Sequence, residues 1–510
     1  MSIVPDELPE GWSLPKFGEL LDFKGGSQPP KSEFASKPCD GYVRLLQIRD
    51  FESDDHAVYI KDSTRWPKCE TSDIMVGRYG ASVGKVLSGK SGAYNVALVR
   101  LVIDQNVTHT EWVKNYLVSD YFQKPIRLLS RSAQNGFNKE EVEEFDFPLP
   151  PLPEQRRIVA KIEALQSRSR KAREALEAIP PLLEQFRQSV LAAAFRGDLT
   201  ADWREQHPEV EPASVLLDRI RTERRHKWEA SELSKLKAKG QKQLMNWQEA
   251  YDESSAFDAI GLEQLPKSWC WCRISDVGHV QLGRQRAPKY HSGTNMRPYL
   301  RVMNVYEDRI DTGDVMEMDF SLEDFERYKL SIGDILLNEG QSHELVGRSA
   351  IYGGEVPGAC FTNTLVRFRP DAPITSEFPQ IVFLGYLKSG RFQQIASLTV
   401  NIAHLGAGRF AEMGFPLPPL QEQIEIVRRT RAALEKIKLL KRHFADSESK
   451  LTNLDQSILA KAFRGELVPQ DPDDEPASQL LERIQSERAD DTNAKPTRGR
   501  RKRTSAKDND

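Results

Sequence analysis

The 510-residue chain is poor in cysteine. Its five thiols, Cys39, Cys69, Cys270, Cys272 and Cys360, are too few and too scattered for a disulfide framework. Cys270 and Cys272 lack the second pair that a zinc site needs. Reduced thiols in a cytoplasm are therefore expected. Long apolar runs are missing too: none approaches the roughly 18 residues that a membrane-crossing helix needs. The start, Met1-Ser2-Ile3-Val4-Pro5-Asp6-Glu7, shows no charged-then-apolar signal pattern. There is no excess of positive charge, since 72 Lys and Arg stand against 75 Asp and Glu, a net charge of −3. Any contact with a polyanion must come from local patches.

Catalytic motifs are absent as well. Gly84-Lys85 is followed by Val86, and position 79 is Tyr, which breaks the phosphate-loop pattern twice. Gly406-Ala407-Gly408 lacks the third glycine of a dinucleotide fingerprint. The nine histidines form no His-x-x-x-His or HExxH pair for a metal. No Asn/Asp-Pro-Pro-aromatic run of an amino-methylating enzyme occurs. We expect no catalytic, metal or cofactor-binding residue in this chain.

What the chain does have is an internal repeat. Phe147-Pro148-Leu149-Pro150-Pro151-Leu152-Pro153-Glu154-Gln155 returns as Phe415-Pro416-Leu417-Pro418-Pro419-Leu420-Gln421-Glu422-Gln423. Ser189–Gly197 returns as Ser457–Gly465. Both offsets are 268 (415 − 147 and 457 − 189). Leu8-Pro9-Glu10-Gly11-Trp12 matches Leu265-Pro266-Lys267-Ser268-Trp269 at 257, as Tyr42–Ile48 matches Tyr299–Val305. Glu211-Pro212-Ala213-Ser214 matches Glu475-Pro476-Ala477-Ser478 at 264. The offset is constant inside two stretches and drifts between them. Two modules are thus of fixed length and two are free to diverge.

The divergent modules, Leu8–Pro153 and Leu265–Leu420, read as mixed α+β. Val96–Val102 and Leu365–Phe368 have strand character among glycine-marked turns, and short helices are expected over Thr110–Leu129 and Phe378–Ser397. The fixed modules read as long helices. Ile158, Ile162, Leu165, Ser169, Ala172, Leu176, Ile179, Leu183, Phe186 and Val190 alternate in steps of four and three. Ile426, Thr430, Ala433, Ile437, Leu440, Phe444, Ser447, Leu451, Leu454 and Ile458 repeat that frame, as a coiled-coil seam would. Pro153 suits a first turn, Gly197 and Gly465 suit caps, and Pro180-Pro181 should break the first helix. About forty residues give roughly 60 Å of helix. A charged helix is expected over Ala213–Trp247, with a shorter counterpart at Ala477–Ala489. The segment after Thr492, with Arg498, Arg500, Arg501, Lys502 and Arg503, reads as a disordered basic tail.

Taken together, Leu8–Trp12, the PLPPLxEQ segments Pro148–Gln155 and Pro416–Gln423, and the helix end Gln456–Leu467 resemble the specificity subunit of type I restriction-modification systems. The resemblance covers almost the whole chain and implies a fold. Two α+β target recognition domains, 1–153 and 261–420, would be separated by two conserved helical regions, 154–260 and 421–490. The helices would pack as an antiparallel coiled coil in a pseudo-twofold repeat, with a basic tail at 491–510. It also implies a function: each domain reads one half of a split, asymmetric site in double-stranded DNA. Two modification subunits would methylate adenine with S-adenosylmethionine. Two restriction subunits would add ATP- and Mg2+-dependent cleavage, and this chain would bind no cofactor itself. A scaffold joining two protein-binding domains is the reading from another class. Polar residues in glycine-flanked loops are the candidate DNA contacts, because Arg, Lys, Asn and Gln can address base edges. In the first domain these are Arg78, Tyr79, Ser82, Lys85, Gln134, Asn135 and Asn138. In the second they are Arg284, Gln285, Arg286, Asn338, Gln341, His343, Arg348, Asn401 and His404. Trp12 and Trp269 are expected to be core anchors.

Overall fold

The computed structural model describes residues 8–132, 136–238, 251, 256–399 and 402–493. The end of the expected charged helix and the basic tail beyond residue 493 lie outside them. The chain divides into two compact units, Met1–Glu177 with Ala445–Asp510, and Ala178–Phe444. This is not the linear division read from sequence. Each unit gathers one β-rich module, part of each long helical region and one of the helices that follow a cap glycine.

The two β-rich modules share a topology. In the first unit, strands Asp22–Gly25, Leu98–Val102, Met75–Gly77 and Val86–Leu87 lie in that order, all antiparallel. In the second, Gly278–Leu282, Leu365–Pro370, Ile335–Asn338 and Ser349–Ile351 repeat the order and the antiparallel pairing. A parallel pair recurs as well, Tyr42–Leu46 with Gly92–Tyr94 and Met296–Leu300 with Cys360–Phe361. The helix expected over Thr110–Leu129 is two helices, Thr110–Val118 and Asp120–Ser132. They divide at Ser119, whose extended backbone ends the first helix and whose hydroxyl donates to the Tyr116 carbonyl at 2.7 Å.

The first long helical region is also two helices, Leu152–Glu177 and Ile179–Arg196. The break falls just before Pro180-Pro181, which cannot donate to the preceding turn. The second region, without such a pair, is one helix, Leu420–Phe463. Both end at glycines in the left-handed region, Gly197 at φ 85° and Gly465 at φ 71°. In the first unit the helices run antiparallel. Ile158 and Ile162 share a core with Leu459, Ala462 and Phe463, whereas Arg173, further along, reaches Asp455 at 2.8 Å. In the second unit Lys441 reaches Glu184 at 3.7 Å.

The expected seam is only partly covered. Ile158, Ile162, Ser169, Leu183, Val190, Ile426, Thr430, Ile437 and Ile458 are buried, but Phe186, Leu440 and Leu454 are about half exposed. Beyond the break at Ala178, Leu183, Val190 and Leu191 turn inward, and Phe186 turns out.

The repeated motifs form the joints of each unit. Trp12 Nε1 donates to Glu154 Oε2 at 3.0 Å, and Trp269 Nε1 to Glu422 Oε2 at 2.8 Å. The neighbouring amides, Gln155 and Gln423, donate to the Pro150 and Pro418 carbonyls at 2.9 Å. A Cβ on Gly465 would lie 2.3 Å from Pro9, and one on Gly197 would lie 2.7 Å from Pro266. The Ala477 amide donates to the Gly11 carbonyl and the Ala213 amide to the Ser268 carbonyl, each at 2.9 Å. Both tryptophans are buried, as expected of anchors.

Candidate nucleic-acid interface

In each unit the sheet places two polar loops side by side. In the first, the loop after Met75–Gly77 folds on itself, with the Gly77 amide donating to the Lys85 carbonyl and the Gly84 amide to the Gly77 carbonyl, both at 2.9 Å. A Cβ at Gly77 would lie 2.2 Å from the Ser82 carbonyl oxygen, so the turn is too tight for a side chain. The segment 136–138 closes against it. Arg78 Nε donates to the Phe137 carbonyl at 3.2 Å, and Gly136 sits where a Cβ would meet the Arg78 carbonyl oxygen at 2.2 Å. The second unit repeats the arrangement. The Gly347 amide donates to the Asn338 carbonyl at 2.9 Å. Gly340–Gln341 then pairs with Ala403–His404 as a short antiparallel ladder.

Individual candidates differ in what they can offer. Tyr79 is exposed, with the Arg78 guanidinium 5.2 Å from its ring centroid. Ser82 is half-buried in the same loop. Lys85 is exposed but holds Glu52 at 2.5 Å. Asn138 caps the helix Lys139–Glu143 in a reciprocal box with Glu141. Gln285, Arg286 and His343 are exposed. Gln341 is half-buried and accepts from the Ser342 amide at 3.1 Å. Arg348 is half-buried 4.6 Å from the Tyr306 ring centroid, and desolvation holds its guanidinium below the ordinary value. His404 Nδ1 lies 3.1 Å from Glu339 Oε2.

Two candidates are withdrawn into the protein. Arg284 is buried, pairs with Asp324 at 2.9 Å, donates to the Asp319 carbonyl and stacks on Tyr290 at 3.9 Å. Asn338 is fully buried in its strand. Neither side chain has a path to a base edge in this conformation. Gln134, Asn135 and Asn401 lie outside the described residues.

Sequence reasoning missed the hairpin Val305–Tyr306/Arg309–Ile310. It places the Tyr306 ring centroid 4.7 Å from the Arg309 guanidinium and 4.6 Å from that of Arg348. The turn signal Glu307-Asp308 between two short β-prone pairs was available, and Asp308 takes a positive φ of 55° there. Among the described residues, no group of three or more His, Cys, Asp or Glu side chains is placed to hold a metal ion. No helix among them is long and apolar enough to cross a membrane.

Two stretches of the chain, 9–178 and 266–443, match the model of the type I restriction modification DNA specificity domain. The chain belongs to that family. The EcoKI specificity subunit of Escherichia coli K12 is 24% identical over 508 residues, covering 95% of this chain and 97% of its own. The StySPI specificity subunit of Salmonella potsdam is also 24% identical, covering 95% and 96%. Among solved structures, a chain from work on complex assembly and conformational transition of the type I R-M system superposes with a TM-score of 0.61 at 20% identity. It covers 91% of this chain and all of its own. The HsdS subunit from Thermoanaerobacter tengcongensis gives 0.51 at 19% identity, with the same coverage. At these identities the structural likeness concerns the fold, and it agrees with the two α+β modules and long helices described above.

Proposed function

We propose that this DNA specificity protein reads a bipartite, asymmetric site in duplex DNA, one half per β-rich module. The observation that carries this reading is the repeated sheet with unlike loops. The same strand order supports Gly77–Lys85 in one unit and Asn338–Arg348 in the other, so the frames match and the readers differ. Arg78, Tyr79, Ser82 and Lys85 form the first reading loop. Gln285, Arg286, Gln341, His343, Arg348 and His404 form the second, joined by Tyr306 and Arg309. Arg284 and Asn338 support the second loop from inside. Gln134, Asn135, Asn138 and Asn401 complete the contacts on the neighbouring segments.

The chain performs no chemistry itself. It directs two modification subunits, which methylate adenine with S-adenosylmethionine, and two restriction subunits, which cleave with ATP and Mg2+. Joining two readers makes the second contact intramolecular, so two modest half-sites give one tight one. Methylome sequencing of cells carrying the modification subunit, with and without this gene, tests the reading. A split methyladenine motif should depend on the gene, and a methylome that does not change would sink the proposal. Exchange of residues 13–147 for those of a relative leaves Trp12 and the Pro148–Gln155 joint in place. That exchange should alter one half of the motif, and alteration of both halves would contradict one-module-one-half reading.

A further inference from the structure

The backbone hydrogen bonds of the two modules match the reading loops residue by residue. The Gly77 amide donates to the Lys85 carbonyl and the Asn338 amide to the Arg348 carbonyl, each at 2.9 Å. Lys85 and Arg348 therefore stand at equivalent places. The parallel strand pair gives a second anchor, with Leu46 opposite Tyr94 as Leu300 is opposite Phe361. Just beyond it each chain makes one tight turn. The Gln47 amide closes the first on the Asp50 carboxylate at 2.6 Å, and the Arg301 amide closes the second on the Asn304 side chain at 3.0 Å. Asp50 and Asn304 are thus equivalent at an offset of 254 (304 − 50), three less than the sequence match there. Two residues further on stand Glu52 in one module and Tyr306 in the other.

The equivalent basic residues consequently meet unlike partners. Arg348 lies 4.6 Å from the ring centroid of Tyr306, whereas Lys85 Nζ meets Glu52 Oε1 at 2.5 Å. The Lys85 ammonium holds the Glu52 carboxyl below its ordinary value, so the acid is charged at neutral pH. Both side chains stay largely in solvent, 42% and 68% exposed, and an exposed pair of this kind adds little to stability. The neighbouring Asp54 is shared by Lys90 and Arg44, but only one oxygen of Glu52 is engaged among the described residues.

A carboxylate on a surface that meets duplex DNA is repelled by the phosphates. It is favourable there where it accepts from a base amine. In the major groove cytosine offers its N4 amine, and the paired guanine offers O6 and N7 as acceptors. A carboxylate and an ammonium side by side match that pattern.

We propose that Glu52 is a specificity-determining residue of the first module, and that Glu52 and Lys85 together read one C·G base pair. The carboxylate accepts from cytosine N4 and the ammonium donates to guanine O6. This rests on the bipartite reading proposed above and names one of its contacts. The second module, with tyrosine at that place, does not select for an amine there. Thymine in place of cytosine would set its O4 acceptor against the carboxylate, so rejection of T·A is the sharpest consequence.

The test is methylome sequencing of cells holding the modification subunit with wild type, Glu52→Gln or Glu52→Ala. Wild type should demand C·G at one position of the half-site that exchange of residues 13–147 alters. Both variants should admit T·A at that position, Glu52→Gln because its amide can donate to thymine O4. The complex with the modification subunit, given duplexes with C·G or T·A there, should prefer C·G by about tenfold or more in wild type. That preference should vanish in Glu52→Gln. Every other position should be unchanged, and both variants should unfold at the wild-type temperature. An unaltered motif, or relaxation at a position that holds A·T in wild type, overturns the proposal. Relaxation at several positions or loss of all methylation in both variants would make Glu52 a support of the loop, and overturns it too. If no split motif depends on the wild-type gene, the underlying reading fails and this one with it.

Discussion

Glu154 and Glu422 stand at equivalent places in the repeat and hold equivalent tryptophans, yet their surroundings make opposite demands. Glu422 is the hub of a satisfied network, accepting from Thr200 at 2.6 Å and from Arg204 at 2.5 Å besides Trp269, and the amide in Glu422→Gln would leave Arg204 without its charge partner. A loss of about 2–4 kcal/mol is expected, typical of breaking one side of a buried pair. Glu154→Gln removes a buried charge and keeps the Trp12 bond, so it should cost less than about 1 kcal/mol. The pH dependence follows from the direction of the shift. Burial raises the Glu154 carboxyl above its ordinary value, against the Trp12 hydrogen bond and the Arg157 charge and with the Asp474 charge. A raised carboxyl is neutral in the folded state at pH values where it is already ionised in the unfolded chain. The wild type should therefore lose stability relative to Glu154→Gln as pH rises from about 4.5 through the raised value. Urea unfolding of both variants across that window, with hydrogen exchange to localise the effect, checks both expectations. A wild type that gains on Glu154→Gln as pH rises would reverse the sign and refute the account.

The long helices show which sequence signals act locally. Ser169 was legible as the weak slot of its seam, and it is buried, with no hydrogen-bond partner for its hydroxyl among the described residues. It lines an apolar groove of about 400 Å3 with Leu165, Leu451, Leu454 and Ile458. Ser169→Ala removes that hydroxyl and should stabilise by up to about 1 kcal/mol. Ser169→Leu also fills the groove and should raise Tm further, and a lower Tm for both would show that the hydroxyl is satisfied. The helix break, both glycine caps and the anchoring role of Trp12 and Trp269 were readable because each depends on residues close in sequence or repeated outright, whereas their glutamate partners were not. The status of Arg284 and Asn338 was not readable. Arg284 is buried by Asp324, Tyr290 and Phe320, brought to it by strand pairing that no local pattern announces. Glycine-flanked polar loops look alike whether their side chains point into a core or out of it. Phe186, Leu440 and Leu454 stand in the seam's register yet are about half exposed, because a heptad count marks a face without showing how much of it is covered.

At the scale of the whole molecule, the chain does not fold as consecutive segments. Residues after the second cap glycine join the first module, as the Ala477 amide on the Gly11 carbonyl shows, and residues after the first cap glycine join the second. This changes how the spacing between half-sites should be tested. Inserting residues at repeat-equivalent positions, near Ser169 and near Ile437, is the choice the sequence invites. Within the first unit, however, Ser169 lines its groove with Leu454, Ser457 and Ile458, so the two helices are level there. Four residues added after Ser169 and four added after Asp455 would lengthen both helices at one level by about 6 Å each. If these helices set the reach between the two readers, the unread gap of the methylated motif should lengthen by roughly two base pairs, at about 3.4 Å each. Both half-sites should stay the same. Insertion in one helix alone would put Arg173 and Asp455 out of register and should destabilise the unit instead. Methylome sequencing reads the first outcome directly. An unchanged gap would show that the helices do not measure the site, and a changed half-site would show that reading and spacing are not separable in this protein.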